Sequence, residues 1–130
     1  KDLCQSLFVA DRVHFLGFRR DISELYKASD MLLMTSKREG LPRTTMEAMC
    51  AGIPCLCSNI RGNTDLIDEG KGGYLVNPLD ANGFAKAIKC LIDNPLLREE
   101  MGNYNKEKVK AFDIEVVKSK MLEIYREVLC

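Results

Sequence analysis

Short apolar runs alternate with amphipathic segments in the first half of the chain. Residues 13–17 form an apolar run closed by glycine, which predicts a strand. Residues 21–28 carry apolar side chains three and four positions apart, which predicts a helix. Residues 31–34 are continuously apolar, as expected for a strand buried on both faces of a parallel sheet. The order strand, helix, strand therefore opens the chain.

The same alternation continues to residue 79. Pro42 suits the first helical position and Gly52 the position after a helix end, so residues 42–51 are expected to form a helix. Residues 53–57 and 73–76 are further predicted strands, with a short helix over residues 64–69 between them.

Only helices are predicted after residue 79. Asp80 is a suitable N-cap for a helix over residues 81–92, and Asn94-Pro95 separates it from a second helix over residues 96–109. Residues 112–129 place apolar side chains at spacings of three and four, so one stripe is expected to pack while the other face meets water. Strands that alternate with helices, followed by a helical tail, predict an open parallel α/β sheet with flanking helices. Ligands of such sheets bind beyond the carboxyl ends of the strands.

Composition indicates one soluble domain with no broad electrostatic attraction for polyanions. The chain has 130 residues, of which 46% are hydrophobic and 29% charged. Lys plus Arg and Asp plus Glu number 19 each, so binding of nucleic acid over the whole surface is not expected, and any anion site must be local. Residues 1–10 lack the apolar run of a signal peptide.

Cysteine usage indicates free thiols of a reducing cytoplasm. The chain has six cysteines, and Cys55 and Cys57 alternate as in a strand, with their sulfurs on the same face. No second Cys or His pair stands at zinc spacing, so no metal site is expected.

The loop after the second predicted strand contains the strongest candidate chemistry. If Pro42 is the first helical residue, Leu41 is the N-cap, and its side chain cannot accept a bond from the free first-turn amides. Such a helix terminus attracts anions, and Arg43 adds a full positive charge suited to a diphosphate. Alternatively, Thr44, Thr45 or water satisfies these amides and Arg43 points into solvent.

Two glutamates flank this candidate anion site. Glu47 lies about five residues into the predicted helix, or about 7.5 Å along its axis at about 1.5 Å per residue, and Glu39 lies just before it. Retaining glycosidases hold their carboxyl groups about 5 to 5.5 Å apart, so hydrolysis is not favoured. The spacing suits hydroxyl groups on both sides of a diphosphate, as in a nucleotide sugar. Alternatively, both are ordinary surface glutamates.

A family resemblance extends over nearly the whole chain. The residues that carry it are Val13-His14-Phe15-Leu16-Gly17-Phe18, Glu24-Leu25-Tyr26, Ala28-Ser29-Asp30, Ser36, Glu39-Gly40-Leu41-Pro42, Glu47-Ala48-Met49, Ala51-Gly52-Ile53-Pro54 and Gly72-Gly73-Tyr74-Leu75-Val76-Asn77-Pro78. In this order they resemble the retaining GT-B glycosyltransferases of family 4, the "glycosyltransferases group 1" type. The resemblance implies that residues 1–130 are one domain, the second half of the C-terminal, Rossmann-like, donor-binding domain.

The resemblance also implies residue roles. Glu39 matches a glutamate that meets the hydroxyls of the transferred sugar near the reaction centre, and Glu47 matches one that binds the ribose. Arg19 stands where the family's main chain pairs with the base. The backbone amides expected to hold sugar and phosphate oxygens are those of Gly40, Leu41, Arg43 and Thr44.

The resemblance implies a reaction that uses a nucleotide sugar of the UDP type as substrate, with no metal or other cofactor. The helix dipole and basic side chains would stabilise the leaving diphosphate. Retention would give an α-linked product from an α-linked donor.

Family members carry further parts upstream that this sequence lacks: a Gly-Arg and a Lys that grip the diphosphate, and an N-terminal acceptor domain. This chain is therefore expected to be a fragment that binds a donor without transfer, with the saccharide or lipid-linked acceptor held by the absent domain. His14, within the first predicted strand, is expected to be structural. The expected setting is the cytoplasm, at the inner face of a bacterial plasma membrane with peripheral association of the full-length enzyme, in surface polysaccharide biosynthesis.

Two other functions stay open from the residues. One is a non-catalytic α/β interaction module that kept the sheet but lost the site. The other is a different GT-B enzyme, such as a sugar-nucleotide epimerase or a glycogen phosphorylase type. An epimerase would be expected to need a catalytic histidine beside the site, and the run Glu39-Gly40-Leu41-Pro42 fits it less well.

Overall fold

The computed structural model describes residues 1–129, which alternate helices with parallel strands. Two 3-10 turns, Ala10–Arg12 and Lys110–Phe112, join these elements. The elements are α1 (Asp2–Ser6), α2 (Ile22–Lys27), β1 (Leu32–Met34), α3 (Arg43–Ala51), β2 (Cys55–Ser58), α4 (Asn63–Leu66), β3 (Gly73–Val76), α5 (Ala81–Asp93), α6 (Pro95–Val109) and α7 (Ile114–Leu129).

The three strands form one parallel sheet in the order β1-β2-β3. Cys55 pairs with Leu32 on one side and Gly73 on the other. Because the strands are parallel, their carboxyl ends at Met34 and Ser58 lie at the same edge of the sheet. The predicted α/β class is confirmed.

Helices cover both faces of the sheet. Cys55 and Cys57 pack with Met49 of α3 in one core cluster, while Leu56 packs with Leu91 of α5 in a second. The two sulfurs share a face, as strand alternation predicts. Burial raises the pKa of the Cys57 thiol to about 11 and that of Cys55 well above its usual range, since a thiolate is disfavoured in an apolar interior.

Local signals set several helix ends as predicted. The Asp80 carboxylate accepts a hydrogen bond of 2.8 Å from the backbone N–H of Gly83, which caps α5. Gly52 ends α3 in the left-handed conformation, with φ 76°. Asn94 and Pro95 separate α5 from α6 as predicted, although α6 begins at Pro95, one residue before the predicted start.

One predicted helix start and one predicted helix end differ from the structure. Pro42 is the N-cap of α3 and not its first residue, because its ψ of 114° is extended and the helix begins at Arg43. The helix predicted over residues 64–69 is the shorter α4, because Ile67 is already extended at φ −103° and ψ 122°.

The strand predicted over residues 13–17 does not form. The segment makes no ladder hydrogen bonds within residues 1–129, and all its side chains are exposed. A strand requires a neighbour with which to exchange backbone hydrogen bonds, and none of the three strands pairs with this segment. His14 is therefore exposed, and its predicted place in a strand is wrong.

Two segments are less buried than their patterns predict. Leu33 of β1 is 49% exposed, because α3 covers the opposite face of β1, where Leu32 and Met34 pack. Helix α7 has no buried residue, so its apolar stripe does not pack. The stripe comprises Val116, Val117, Met121, Ile124, Tyr125 and Val128, all exposed. None of the helices within residues 1–129 is both long and apolar enough to cross a membrane.

Candidate functional site

The first turn of α3 presents unpaired backbone donors at the carboxyl edge of the sheet. No side chain within residues 1–129 caps this helix, and the first bond into the segment runs from the Met46 N–H to the Pro42 carbonyl at 3.3 Å. The hydroxyl of Thr45 is buried and contacts the Met34 sulfur at 3.2 Å, so it cannot cap the helix. The first-turn amides of Arg43 and Thr44 therefore remain available to an anion.

Arg43 and Glu47 form a loose ion pair along α3. Nη2 of Arg43 lies 3.8 Å from Oε1 of Glu47, and the Arg43 side chain is 87% exposed. A cation at a helix N-terminus opposes the helix dipole, and so exposed a pair contributes little stability. The arrangement leaves the guanidinium free to move toward a bound anion.

The loop that carries Glu39 packs against the turn before α4. Glu39 is half-buried, whereas Gly40 and Leu41 are exposed. Gly62, the residue before α4, has φ +91° and backs onto the carbonyl groups of Gly40 and Glu39. The absence of a side chain at Gly62 thus allows this loop to lie beside the start of α3.

A cavity of about 620 Å³ is lined by residues of α2 and α3. Arg43 and Glu47 line it from α3, and Tyr26 lines it from α2. Glu39, by contrast, is not among its lining residues. Two of the predicted site residues, Arg43 and Glu47, therefore line the same cavity. Glu39 does not line it and precedes the N-terminus of α3 in the sequence.

Arg19 does not offer a free guanidinium. It makes a bidentate ion pair with Asp21, with Nε 2.7 Å from Oδ1, and this pair lowers the pKa of the Asp21 carboxyl. The ion pair holds the Arg19 side chain against Asp21, within the segment that leads into α2. Its neighbour Arg20 lines the cavity.

Three residues around the site were assigned no role from the sequence: Arg20, Gly62 and Tyr26, the last of which only contributes to the family resemblance. Tyr26 follows Ile22 at helical spacing, so the sequence indicates only that it packs. Its hydroxyl in fact reaches α3, 3.2 Å from the Thr44 carbonyl and 3.5 Å from Oε2 of Glu47. Residues 1–129 contain no group of three or more His, Cys, Asp or Glu side chains placed to hold a metal ion.

Residues 1–108 match the family model described as glycosyl transferases group 1. The chain belongs to this family. This assignment agrees with the parallel sheet and with the uncapped N-terminus of α3 at its carboxyl edge.

Curated relatives of this family member are longer enzymes. The N-acetyl-alpha-D-glucosaminyl L-malate synthase of Bacillus anthracis is 36% identical over 129 residues, which cover 98% of this chain and 34% of the synthase. The UDP-Gal:alpha-D-GlcNAc-diphosphoundecaprenol alpha-1,3-galactosyltransferase of Escherichia coli is 33% identical over 114 residues, 88% of this chain and 30% of that enzyme. The chain thus spans about a third of the length of these relatives.

Solved structures share the fold over nearly the whole chain. Anabaena HepE in complex with UDP superposes with a TM-score of 0.92 at 26% identity, covering 97% of this chain and 35% of HepE. Sucrose-phosphate synthase from Thermosynechococcus elongatus gives a TM-score of 0.90 at 29% identity, covering 98% of this chain and 33% of the synthase. These neighbours are GT-B glycosyltransferases, which agrees with the predicted fold.

Proposed function

We propose that this chain is the second half of the donor-binding domain of a retaining glycosyltransferase. The whole enzyme would move a sugar from a nucleotide sugar, of the UDP type, to a saccharide or lipid-linked acceptor. The Escherichia coli relative is named for a UDP-galactose donor and a diphosphoundecaprenol-linked acceptor, and HepE binds UDP, which supports both parts of the proposal.

The uncapped N-terminus of α3 carries this proposal. It lies after the carboxyl end of β1, where parallel α/β sheets bind ligands, and its amides of Arg43 and Thr44 have no side-chain acceptor within residues 1–129. A diphosphate supplies the oxygens and negative charge that such a terminus favours. The carboxylates of Glu39 and Glu47 stand before and within this helix, where they can accept hydrogen bonds from sugar and ribose hydroxyls.

Each predicted site residue receives one role in this proposal. Glu39 contacts the hydroxyls of the transferred sugar, and Glu47 binds the ribose. The main chain of Arg19 pairs with the base. The amides of Gly40, Leu41, Arg43 and Thr44 hold sugar and phosphate oxygens; Pro42 has no N–H and cannot join them.

The proposed chemistry is stabilisation of the leaving diphosphate. As the bond between sugar and phosphate breaks, negative charge grows on the phosphate oxygens beside the α3 terminus. Fixed N–H dipoles and Arg43 stabilise that charge without reorganisation, which is often the largest single contribution to catalysis. The reaction with retention gives an α-linked product.

We also propose the setting of this reaction. The acceptor would be bound by a domain that corresponds to the part of the relatives that this chain does not match. This chain alone would bind a donor weakly and would not catalyse sugar transfer. The whole enzyme would act at the cytoplasmic face of a plasma membrane, in surface polysaccharide biosynthesis.

Amide chemical shifts of the ¹⁵N-labelled chain test the donor site. On titration with UDP and UDP-glucose to millimolar concentration, we expect the amide resonances of Gly40, Arg43 and Thr44 to move most. Uridine, which lacks the diphosphate, should leave these three amides nearly unmoved. Unchanged resonances from Glu39 to Glu47 at millimolar UDP would contradict the proposal.

A pair of charge-neutralising variants separates site effects from general charge effects. Glu47→Gln should weaken UDP binding about three- to tenfold, because an amide accepts hydrogen bonds from the ribose less strongly than a carboxylate. Glu115→Gln removes a more exposed glutamate of α7 that is likewise paired with a basic side chain, and it should leave binding unchanged. Equal losses in both variants would indicate a nonspecific electrostatic effect.

A further inference from the structure

The hydroxyl of Tyr26 links α2 to the carboxylate of Glu47. It lies 3.5 Å from Oε2 of Glu47 and 3.2 Å from the carbonyl oxygen of Thr44. The ring packs against the core cluster around Met49, so the position of the hydroxyl is set by buried contacts and not by a flexible stem. Tyr26 therefore brings a fixed polar group from a second helix to a residue of α3.

The two oxygens of Glu47 have different neighbours. Oε2 faces the Tyr26 hydroxyl, whereas Oε1 lies 3.8 Å from Nη2 of Arg43. Arg43 is on the same helix and mostly exposed, so it restrains the carboxylate weakly. Tyr26 is anchored in the core and restrains it from across the cavity that all three residues line.

Tyr26 stays a hydrogen-bond donor at neutral pH. Burial raises the pKa of its phenol, and the nearby charge of Glu47 raises it further, because both disfavour the phenolate. The single hydroxyl proton can be donated to the carboxylate of Glu47 or to the Thr44 carbonyl.

We propose that Tyr26 is a positioning residue that orients the Glu47 carboxylate toward the paired 2′ and 3′ hydroxyls of a ribose. This inference rests on the proposed function, since it assigns how that function's ribose contact is held in place. A carboxylate accepts from two adjacent hydroxyls only when its plane is suitably turned, and a partner on one oxygen fixes that turn. Tyr26 touches Glu47 and need not touch the nucleotide.

The test compares Tyr26→Phe with the unchanged chain for two probes, UDP and 2′,3′-dideoxy-UDP. Tyr26→Phe keeps the packed ring and removes only the hydroxyl. We expect it to weaken UDP binding about three- to tenfold, the range for a lost hydrogen bond to a charged group that is partly exposed, and to leave dideoxy-UDP binding unchanged. In Glu47→Gln, adding Tyr26→Phe should cause little further loss.

Tyr74→Phe is the matched control. The Tyr74 hydroxyl contacts Cys90 at 3.6 Å, and its ring packs in the second core cluster, away from α3. This variant should bind both probes as the unchanged chain does. A second measurement needs no variant: the ¹³Cζ resonance of Tyr26 should move with UDP and not with dideoxy-UDP.

The outcomes separate this inference from the proposed function. Equal losses for UDP and dideoxy-UDP in Tyr26→Phe, or no loss for either, would overturn the positioning role while leaving the donor site intact. Additive losses in the double variant would overturn it as well. An unchanged chain that binds neither probe would overturn the proposed function and this inference with it.

Discussion

The backbone of Gly62 packs directly against the carbonyl group of Gly40. A β-carbon at position 62 would lie 2.1 Å from the Gly40 oxygen and 3.3 Å from the Glu39 oxygen. The loop that carries Glu39 is therefore located by the turn before α4, and a glycine is needed there for space as well as for its φ of +91°.

Gly62→Ala should displace the Glu39 loop and weaken donor binding. Gly70→Ala is the matched control, because Gly70 also has a positive φ, +74°, but would bring its β-carbon near nothing within 4 Å. Both changes introduce backbone strain of about 1 kcal/mol. We expect Gly62→Ala to lose at least about 1 kcal/mol more in urea unfolding, and only Gly62→Ala to weaken UDP binding. Equal effects of the two variants would contradict this contact.

Two substitutions of Arg43 separate its charge from its backbone amide. Arg43→Ala removes the charge, whereas Arg43→Pro removes the charge and the N–H. Proline suits the first helical position, and the extended ψ of 114° at Pro42 is compatible with a following proline. We expect Arg43→Ala to weaken UDP binding about twofold to fivefold and Arg43→Pro about fivefold more, measured by amide shift titration. Equal affinities would show that this amide holds no phosphate oxygen.

Asn105 of α6 should be a large contributor to stability. Its buried amide donates hydrogen bonds of 2.9 Å to the Ile53 carbonyl and 2.7 Å to the Gly72 carbonyl, which fixes α6 to the segments that enter β2 and β3. Asn105→Ala leaves both carbonyls short of a donor and should cost about 2 to 3 kcal/mol in urea unfolding. Asn103→Ala, on the exposed face of the same helix, should cost less than about 0.5 kcal/mol.

Asp68 should make the stability of the fold depend on pH in the acidic range. Hydrogen bonds from Lys108 and Tyr104 lower the pKa of its carboxyl below the ordinary value. A carboxyl whose pKa is lower in the folded chain contributes stability above its unfolded pKa of about 4 and loses that contribution as the pH falls through the folded pKa.

The variant Asp68→Asn should therefore be less stable than the unchanged chain at pH 7, by about 0.5 to 1 kcal/mol because the site is partly exposed. The difference should shrink as the pH falls below about 4, in paired urea titrations. A difference that stays constant from pH 7 to pH 2 would show that the ion pair with Lys108 is not its source.

The exposed stripe of α7 should promote self-association and contribute little to folding. Ile124 is 58% exposed, so Ile124→Ser should change the free energy of unfolding by no more than about 0.5 kcal/mol while lowering the apparent mass in concentrated solution. Glu123→Ser, on the neighbouring position, should leave the association unchanged. A stability loss as large as that of a core substitution such as Leu91→Ala would contradict this account.

Most of the fold follows from short-range signals in the sequence. Gly52 ends α3 and Asp80 caps α5 because each acts within its own turn. The run at residues 13–17 was wrongly predicted to be a strand because pairing depends on a neighbouring strand, which the run itself does not encode. The pattern of apolar residues likewise does not distinguish an edge strand such as β1 from a central strand.

The candidate site was predictable where it depends on one helix and not where it depends on contacts across the fold. Proline before Arg43 and the lack of a capping side chain indicated the open terminus of α3. Tyr26 and Gly62 act through residues far away in the chain, so helical spacing and turn composition gave no sign of their roles.

The reactivity of the two buried cysteine thiols of β2 reports on transient opening of the domain core. Cys55 and Cys57 are fully enclosed and poorly ionised, whereas Cys50 of α3 is exposed. Alkylating reagents react with the thiolate, so Cys50 should be labelled in the native chain. Cys55 and Cys57 should react only when the sheet separates from α3. The labelling rate of Cys55 and Cys57 would then report the frequency of the transient openings that expose the domain core.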